Sequence, residues 1–439
     1  MAEKESKEKT VYIGITGDII HPGIINIIQK GACYGRVIVG LLTDSAIVSH
    51  KRLPSLTYEQ RKNVIENIKG VSEIIPQKEW SYIPNLKALK PNYIIHGDDW
   101  KTNYLQKIRA EVFELMKEIG GEVIEIPYTK GIDSYKLLEN TKEIGTTPDI
   151  RLKSLRRLIN SKPIIRILEA HSALTGSIVE KLELEKEDGI HRFDGLWSSS
   201  LCDSTDKGKP DIEVVDITSR MQILKEILEC TTKPIIYDGD TGGICEHFVF
   251  MVKKLEMNGI SAVIIEDKTG LKKNSLLGTS VKQTLLSEEE FCHKISEGKK
   301  AQVTRDFMII ARIEEIIAGK SVDEALKKAL ACVVAGADGI MIHSKEKSGK
   351  DIKEFCQKFR KEYPKIPIVL VPTTYNQYTE KELSEWGANI IIYANHMLRA
   401  SYPAMKKCAE KILECERSLE VNDICMPIKE ILNLIPGTN

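Results

Sequence analysis

Short apolar runs alternate along this chain with stretches of helical spacing, and the alternation starts twice. In the first series, "VYIGITG" (11–17), "RVIVGLLTD" (36–44), "PNYIIHGDD" (91–99) and "EVIEIPY" (122–128) read as strands. Helical patterns fall between them at 22–35, 57–70 and 102–120. Strands separated by helices predict a parallel, doubly wound α/β sheet. "EIGTTPDI" (143–150) joins Gly, Thr-Thr and Pro and reads as the start of a linker.

The second series is longer. Candidate strands lie at 164–172, 193–200, 233–240, 261–267, 307–314, 337–344, 366–374 and 389–396. Helical patterns such as "SVDEALKKALACVVAG" (321–336) and "KDIKEFCQKFRKEY" (350–363) separate nearly all of them. Eight β/α units in roughly 250 residues is the arithmetic of a TIM-type (β/α)8 barrel, favoured over a second doubly wound sheet. The expected organisation is a charged tail (1–10), an α/β domain (11–142), a linker (143–154) and a barrel (155–430).

Composition adds mainly exclusions. The 439 residues suffice for two or three domains, and Lys+Arg equals Asp+Glu at 63, so no net charge recruits nucleic acid or a membrane surface. The charged opening "MAEKESKEKT" lacks the apolar core of a signal peptide, and no apolar run is long enough to span a bilayer. Ten cysteines stand singly, with no Cys-x-x-Cys pair, which disfavours zinc clusters and a disulfide scaffold and suits a cytoplasmic protein.

In a β/α barrel the site is built where the strands end. There the sequence places Trp197 and Ser198 to Ser200, then Asp238 and Asp240, Glu266 and Asp267, Arg312 and Glu314, His343 to Lys345, and Asn395 with His396. Singly each has a bland reading: an Asp caps the next helix, an Arg makes a structural ion pair, a His packs. Jointly they describe an acidic floor flanked by cations. Clustered carboxylates without cysteine or paired histidine point to Mg²⁺ or Mn²⁺, and an arginine beside them suits a carboxylate or phosphoryl group. The polar loop "TGLKKNSLLGTSVKQT" (269–284) has the length of a lid.

"EDKTGLKKNS" (266–275) fits the Glu-Asp-Lys-x-x-x-Lys-x-Asn-Ser signature of the phosphoenolpyruvate mutase family, in the isocitrate lyase superfamily. The resemblance extends over about 155–430, through "EAHS", "GLWSSSL", "DGDTGG", "ARIEEIIAG", "GADGIMIHSK", "VPTTY" and "ANHMLRAS". It implies interconversion of phosphoenolpyruvate and phosphonopyruvate, with Mg²⁺ held mainly by Asp238 while Asp240, Glu266 and Asp211 act through its waters. It also implies that Asp211 is a catalytic aspartate and that Trp197, Ser199, Ser200 and Leu201 hold the substrate. Arg312, His343, Asn274 and Ser275 would steady the moving phosphoryl group, and Lys272 would ride on the closing loop. C–C lyases of the superfamily carry a cysteine in this loop; here there is none. Phosphonopyruvate hydrolase shares the barrel and metal site, but the complete Lys-x-Asn-Ser loop favours the mutase. The resemblance further implies a homo-oligomer, dimer or tetramer, exchanging the helix around 400–420.

The first 140 or so residues resemble a cytidylyltransferase-type nucleotidyltransferase domain, through "GITGDIIHPGIINII" (14–28), "KRLPSLTYEQRKNVI" (51–65) and "HGDDW" (96–100). That family's His-x-G-His motif reads His21-Pro22-Gly23-Ile24 here, and its Ile-Ser-Ser-Thr motif reads Ile132-Asp133-Ser134-Tyr135. Lys51 and Arg61 remain as candidate nucleotide ligands with His21, and Asp98 and Asp99 are retained. Losing one imidazole donor removes on the order of 3 kcal/mol of transition-state stabilisation. The expectation is a CTP site that is catalytically weakened, leaving a binding or assembly module; a bifunctional enzyme is the alternative.

Overall fold

The computed structural model describes residues 8–101, 105–127, 146–186 and 189–435. Five parallel strands form the first sheet: β1 (Thr10–Ile15), β2 (Arg36–Leu42), β3 (Glu73–Gln77), β4 (Tyr93–Gly97) and β5 (Glu122–Ile126), ordered β3-β2-β1-β4-β5. The order reverses between β1 and β4, the point where open α/β sheets bind ligands. Val11, Ile13, Val37, Val39 and Ile95 pack one face, while Tyr12 and Ile94 pack the other with Leu86 and Trp100.

The second unit is a closed parallel barrel of eight strands. These are β6 (Ile165–Glu169), β9 (Gly195–Ser198), β10 (Ile235–Asp238), β11 (Ala262–Glu266), β12 (Met308–Ile313), β13 (Gly339–Ile342), β14 (Ile368–Leu370) and β15 (Ile390–Tyr393). The intervening β7 (Glu183–Lys186) and β8 (Gly189–Arg192) make a separate antiparallel hairpin. Six of the eight strands are buried along their whole length, and only Arg166 in β6 and Tyr393 at the end of β15 are half-buried, which is why the strands read as largely apolar runs. In β11, Ile264 faces the barrel interior with Ile236, Ile310 and Met341, whereas Val263 and Ile265 face the helices with Phe248 and Phe291.

The helix Pro148–Ser161 covers the end of the barrel where strands begin. Leu155 and Leu158 join the interior cluster, Arg156 donates to Asp306 O and Phe307 O just before β12, and Arg151 O accepts from Ser261 Oγ just before β11. The first domain docks at this same end. Arg157 meets Asp44 at 3.3 Å, and Arg52 reaches Glu180 at 2.8 Å and Thr232 at 2.7 Å.

All eight barrel strands stand where expected, each shorter than its apolar run, because the last residues of every run turn out into strand-end loops. Several elements depart from expectation. A helix begins at Pro148, inside the stretch read as linker. β3 and the helices Asp44–Val48 and Ile83–Leu89 were absent from the pattern, and "KLELEKEDGIHRFDG" (181–195) holds the hairpin. No helix among the described residues is long and apolar enough to cross a membrane.

Candidate active site

The carboxylate floor is assembled by β10 and the turn after it. Asp238, the last residue of β10, accepts from Ser200 Oγ at 2.8 Å and from Ser200 N at 3.2 Å. Two residues on, Asp240 adopts a left-handed backbone (φ 53°), a conformation uncommon outside glycine that directs its carboxylate back toward the site. Between these groups lies the ammonium of Lys272, bonded to Asp240, to Asp211 at 2.8 Å and to Ser200 Oγ at 2.7 Å. Asn274 Nδ2 donates to the other oxygen of Asp211 at 2.9 Å. Thus Lys272, Asn274, Asp211, Asp240 and Ser200 are brought into one cluster.

A second cluster stands on β12 and β13. Arg312 Nε donates to Glu314 at 2.6 Å, and its Nη2 lies 2.5 Å from Ser275 Oγ and 3.0 Å from Glu266. His343 Nδ1 is 3.0 Å from Glu314. Burial alone would raise the Glu314 pKa, but Arg312 and then His343 outweigh it and hold the carboxyl well below its usual range. Glu314 therefore accepts the Nδ1 proton, which leaves His343 Nε2, a buried atom without a hydrogen-bond partner, on a ring that lines the cavity. Burial, then Arg312, lowers the His343 pKa, so the imidazole is neutral among these protein groups. A phosphoryl oxygen opposite Nε2 would favour the doubly protonated, donating form.

The two clusters bound a cavity of about 90 Å³, lined among others by Trp197, Ser199, Leu201, Asp238, Asn274 and His343. Loop 269–284 closes over it: Lys272 is 4% exposed and Ser275 5%. The loop is more ordered than its composition indicated, with a 3-10 segment at Ser275–Ser280. Ser199 lines the cavity while its Oγ caps the helix Ser200–Asp206, accepting from Cys202 N at 3.4 Å.

Charge at the floor is unevenly compensated. Burial raises the Asp238 pKa, but Lys272, Arg312 and Arg220 together pull it below its ordinary value. Burial dominates at Asp240, pushed up to about 6, and at Glu266, pushed up to about 7. Neither Glu266 oxygen accepts a well-aligned hydrogen bond, although Arg312 stands 3.0 Å and Lys268 3.5 Å from one of them. These hard oxygen donors and under-compensated carboxylates suit a divalent cation. Among the described residues no group of three or more His, Cys, Asp or Glu side chains is disposed to hold a metal directly. Asp238 lines the cavity, whereas Asp240 and Glu266 stand behind it, against Lys272 and Arg312. The residues fit a hard divalent cation that keeps much of its water, the arrangement expected of Asp238 with Asp240, Glu266 and Asp211.

Arg220 went unnoticed in the sequence. Its fully buried guanidinium donates to Asp203 at 2.7 Å, to Asp238 O at 2.5 Å and to Ser198 O at 3.1 Å, and stacks over Tyr237. It lies in the first turn of the helix Ile217–Cys230, so no strand-end position marks it.

The first domain carries a cavity of about 180 Å³ at its switch point, lined by Gly14, His21, Ile24, Lys51, Trp80, Tyr82, His96 and Trp100 among others. His21 caps the helix Pro22–Ala32, its Nδ1 accepting from Gly23 N at 3.1 Å. Ile24 sits in the wall where the motif would supply an imidazole. Arg61 does not reach the cavity. Its guanidinium is buried against Thr16 O, Leu42 O at 2.8 Å and Asp44 at 2.6 Å, where it ties the ends of β1 and β2 together. Asp98 begins a 3-10 turn at Asp98–Lys101; the side chain of Asp99 and the stretch 132–135 lie outside the described residues.

The family model described as phosphoenolpyruvate phosphomutase matches residues 155–413. The chain belongs to the phosphoenolpyruvate phosphomutase family. A phosphoenolpyruvate phosphomutase of Tetrahymena pyriformis is 37% identical over 299 residues, covering 68% of this chain and 95% of that protein. A crystal structure of phosphonopyruvate hydrolase in complex with oxalate and Mg²⁺ superposes at a TM-score of 0.56 with 32% identity, covering 65% of this chain and 94% of the other. Residues 13–166 match the cytidylyltransferase-like model. In this region a glycerol-3-phosphate cytidylyltransferase of Bacillus spizizenii is 32% identical over 132 residues, 30% of this chain and 94% of that protein. This phosphomutase-family chain thus carries a cytidylyltransferase-like domain ahead of its barrel.

Proposed function

We propose that the barrel is a phosphoenolpyruvate phosphomutase, an isomerase that interconverts phosphoenolpyruvate and phosphonopyruvate. The observation that carries this is the loop: it delivers Lys272, Asn274 and Ser275 into a strand-end cavity already lined by Asp238, Arg312 and His343. From phosphonopyruvate, the C–P bond breaks and its electron pair becomes the pyruvate enolate. The enolate oxygen then collects the same phosphoryl group. A metaphosphate-like group in transit needs neutralisation and positioning, not a strong base. Arg312, Asn274, Ser275 and His343 supply donors for its oxygens. Trp197, Ser199, Ser200 and Leu201 hold the substrate, and Lys272 moves with the loop to shut out water. Asp238 would hold Mg²⁺, with Asp211, Asp240 and Glu266 reaching its waters; bound there, the ion neutralises charge on the enolate and phosphoryl oxygens.

The test is ³¹P NMR of the protein with phosphonopyruvate and Mg²⁺. An enol-phosphate signal growing at the phosphonate's expense is expected. Free phosphate without that signal would make the protein a phosphonopyruvate hydrolase, the second reading, supported by the 32% identity to that enzyme's structure. No change would overturn both.

For the first domain we propose a CTP-binding module with little or no nucleotidyl transfer, on the strength of Ile24 in the cavity wall. A bifunctional mutase and CTP:phosphonate cytidylyltransferase is the competing reading. A homo-oligomer, dimer or tetramer, is supported by the helix His396–Cys415, none of whose residues is buried within the chain. Light scattering on the eluting protein tests it. Ten free cysteines suit a cytoplasmic enzyme.

A further inference from the structure

Loop 269–284 is held at its neck and from within the site. At the neck, Thr269 N donates to Thr284 O at 2.9 Å and Leu286 N to Asp267 O at 2.8 Å. Within the site, Lys272, Asn274 and Ser275 grip Asp240, Asp211 and Glu314, and Ser275 also meets Arg312. A cation and an anionic substrate compete for those same groups, so these grips must change whenever substrate binds. Closure during the reaction therefore needs a hold whose partner is not a substrate ligand.

Lys345 provides one. It follows the end of β13, two residues after His343, and lines the cavity rim. Its Nζ donates to Leu277 O at 3.3 Å. Its aliphatic stem lies across Gly278, so closely that a Cβ on that residue would collide with Lys345 Cδ. Gly278 has φ +51°, and Gln283 Nε2 donates to its carbonyl at 3.2 Å, so both halves of the loop tip converge on the glycine that seats the lysine. The partner is a backbone carbonyl, which substrate does not contest.

We propose that Lys345 is a positioning residue that latches the loop over the migrating phosphoryl group, its stem seated in the space left by Gly278. The proposal rests on the mutase reading above. A loop that opens early admits water, which takes the phosphoryl group from the breaking C–P bond. The enolate is then protonated, so phosphonopyruvate and water give pyruvate and phosphate.

The experiment compares wild type with Lys345→Ala, Lys345→Met and Lys345→Arg by ³¹P NMR, reading the ratio of free phosphate to enol phosphate formed from phosphonopyruvate. Methionine keeps the apolar stem and loses the donor; arginine keeps both. The ratio should rise about fivefold in the Ala and Met variants, the factor one lost hydrogen bond of ordinary net strength gives, and should return toward wild type in the Arg variant. An unchanged ratio in Lys345→Ala, whatever its rate, would overturn the latch. Were wild type to yield phosphate alone, the mutase reading would fail separately. The latch would then be judged by limited trypsin digestion after Lys273 and Lys282. Cleavage about fivefold faster in Lys345→Ala but not Lys345→Arg supports it, and equal rates reject it.

Discussion

Asn274 is the residue whose role is easiest to isolate. Its side-chain amide donates to Asp211 and its carbonyl oxygen accepts from Leu276 N at 3.0 Å, so it both shapes the loop and presents a donor to the cavity. Replacing it with Ala should lower kcat about a hundredfold, the effect of removing one aligned transition-state donor, with a much smaller change in KM. Steady-state kinetics on phosphonopyruvate checks the split; an equal rise in KM with kcat intact would assign Asn274 to simple binding. A different residue governs a pH effect on stability. Lys233, 4% exposed, donates to Val179 O at 2.6 Å, and burial lowers its pKa from 10.5 to about 7. Between pH 7 and 9 the unfolded chain holds a proton on this amine that the folded chain has lost, so stability from this group rises with pH there. Below pH 7 both states are protonated and its slope vanishes. Lys233→Met should remove that rise, which is up to about 1.4 kcal/mol per pH unit, and urea midpoints measured across pH 6 to 9 would show the flattened profile.

The elements most legible in the sequence were those buried on both faces. Most of the barrel strands read as nearly continuous apolar runs, and the polar residues at their ends are informative because few polar residues inside the strands compete with them. That is how Asp238, Arg312 and His343 could be picked out. β3 was missed because "EIIPQ" contains a proline, tolerated since this is an edge strand. The β7–β8 hairpin was missed because most of its residues are charged and only two are apolar. Arg220 and Lys328 were hidden for another reason: they enter from helices, where a single basic residue looks like any solvated one. Lys328, on Val322–Val334, is 4% exposed and meets Asp267 at 2.7 Å, Glu315 at 2.8 Å and Leu286 O at 2.8 Å. It ties the helix to two strand ends and to the neck of the loop. Lys328→Met strands two carboxylates in the interior and should cost about 3 kcal/mol, read as a lower urea midpoint. Asp267 and Glu315 already sit close enough for burial and Glu315 to raise the Asp267 pKa well above its usual value. Protonation would therefore relieve part of that loss, and the deficit should shrink toward acid pH.

At the scale of the whole molecule, the barrel's cavity and the first domain lie at opposite ends of the barrel. The barrel's site opens where its strands end, whereas the first domain docks where they begin, through Arg52 and Glu180 and through Arg157 and Asp44. The segment carrying Arg52 also carries Lys51, which lines the first domain's cavity, so that cavity is built against the domain junction. Its chemistry is unlike that of the barrel: Trp80 and Trp100 line it, Tyr82 fills the space beside Gly14 and bonds His96 at 2.9 Å, and Ile24 replaces a phosphate donor. On the reading proposed above, such a wall holds a nucleotide through Lys51 and His21 but lacks the second imidazole that nucleotidyl transfer would use. Two of the four tryptophans lie there, so CTP binding should change the intrinsic fluorescence in a saturable way. With Mg²⁺ and aminoethylphosphonate present, pyrophosphate should not accumulate beyond a few equivalents per hour, a rate some four powers of ten below an ordinary turnover of about 10 per second. Saturation without turnover means a binding module coupled to the barrel only through the junction. Several turnovers per second would mean that Ile24 is compensated elsewhere and the chain runs two reactions. No fluorescence change would leave the domain a docking element alone.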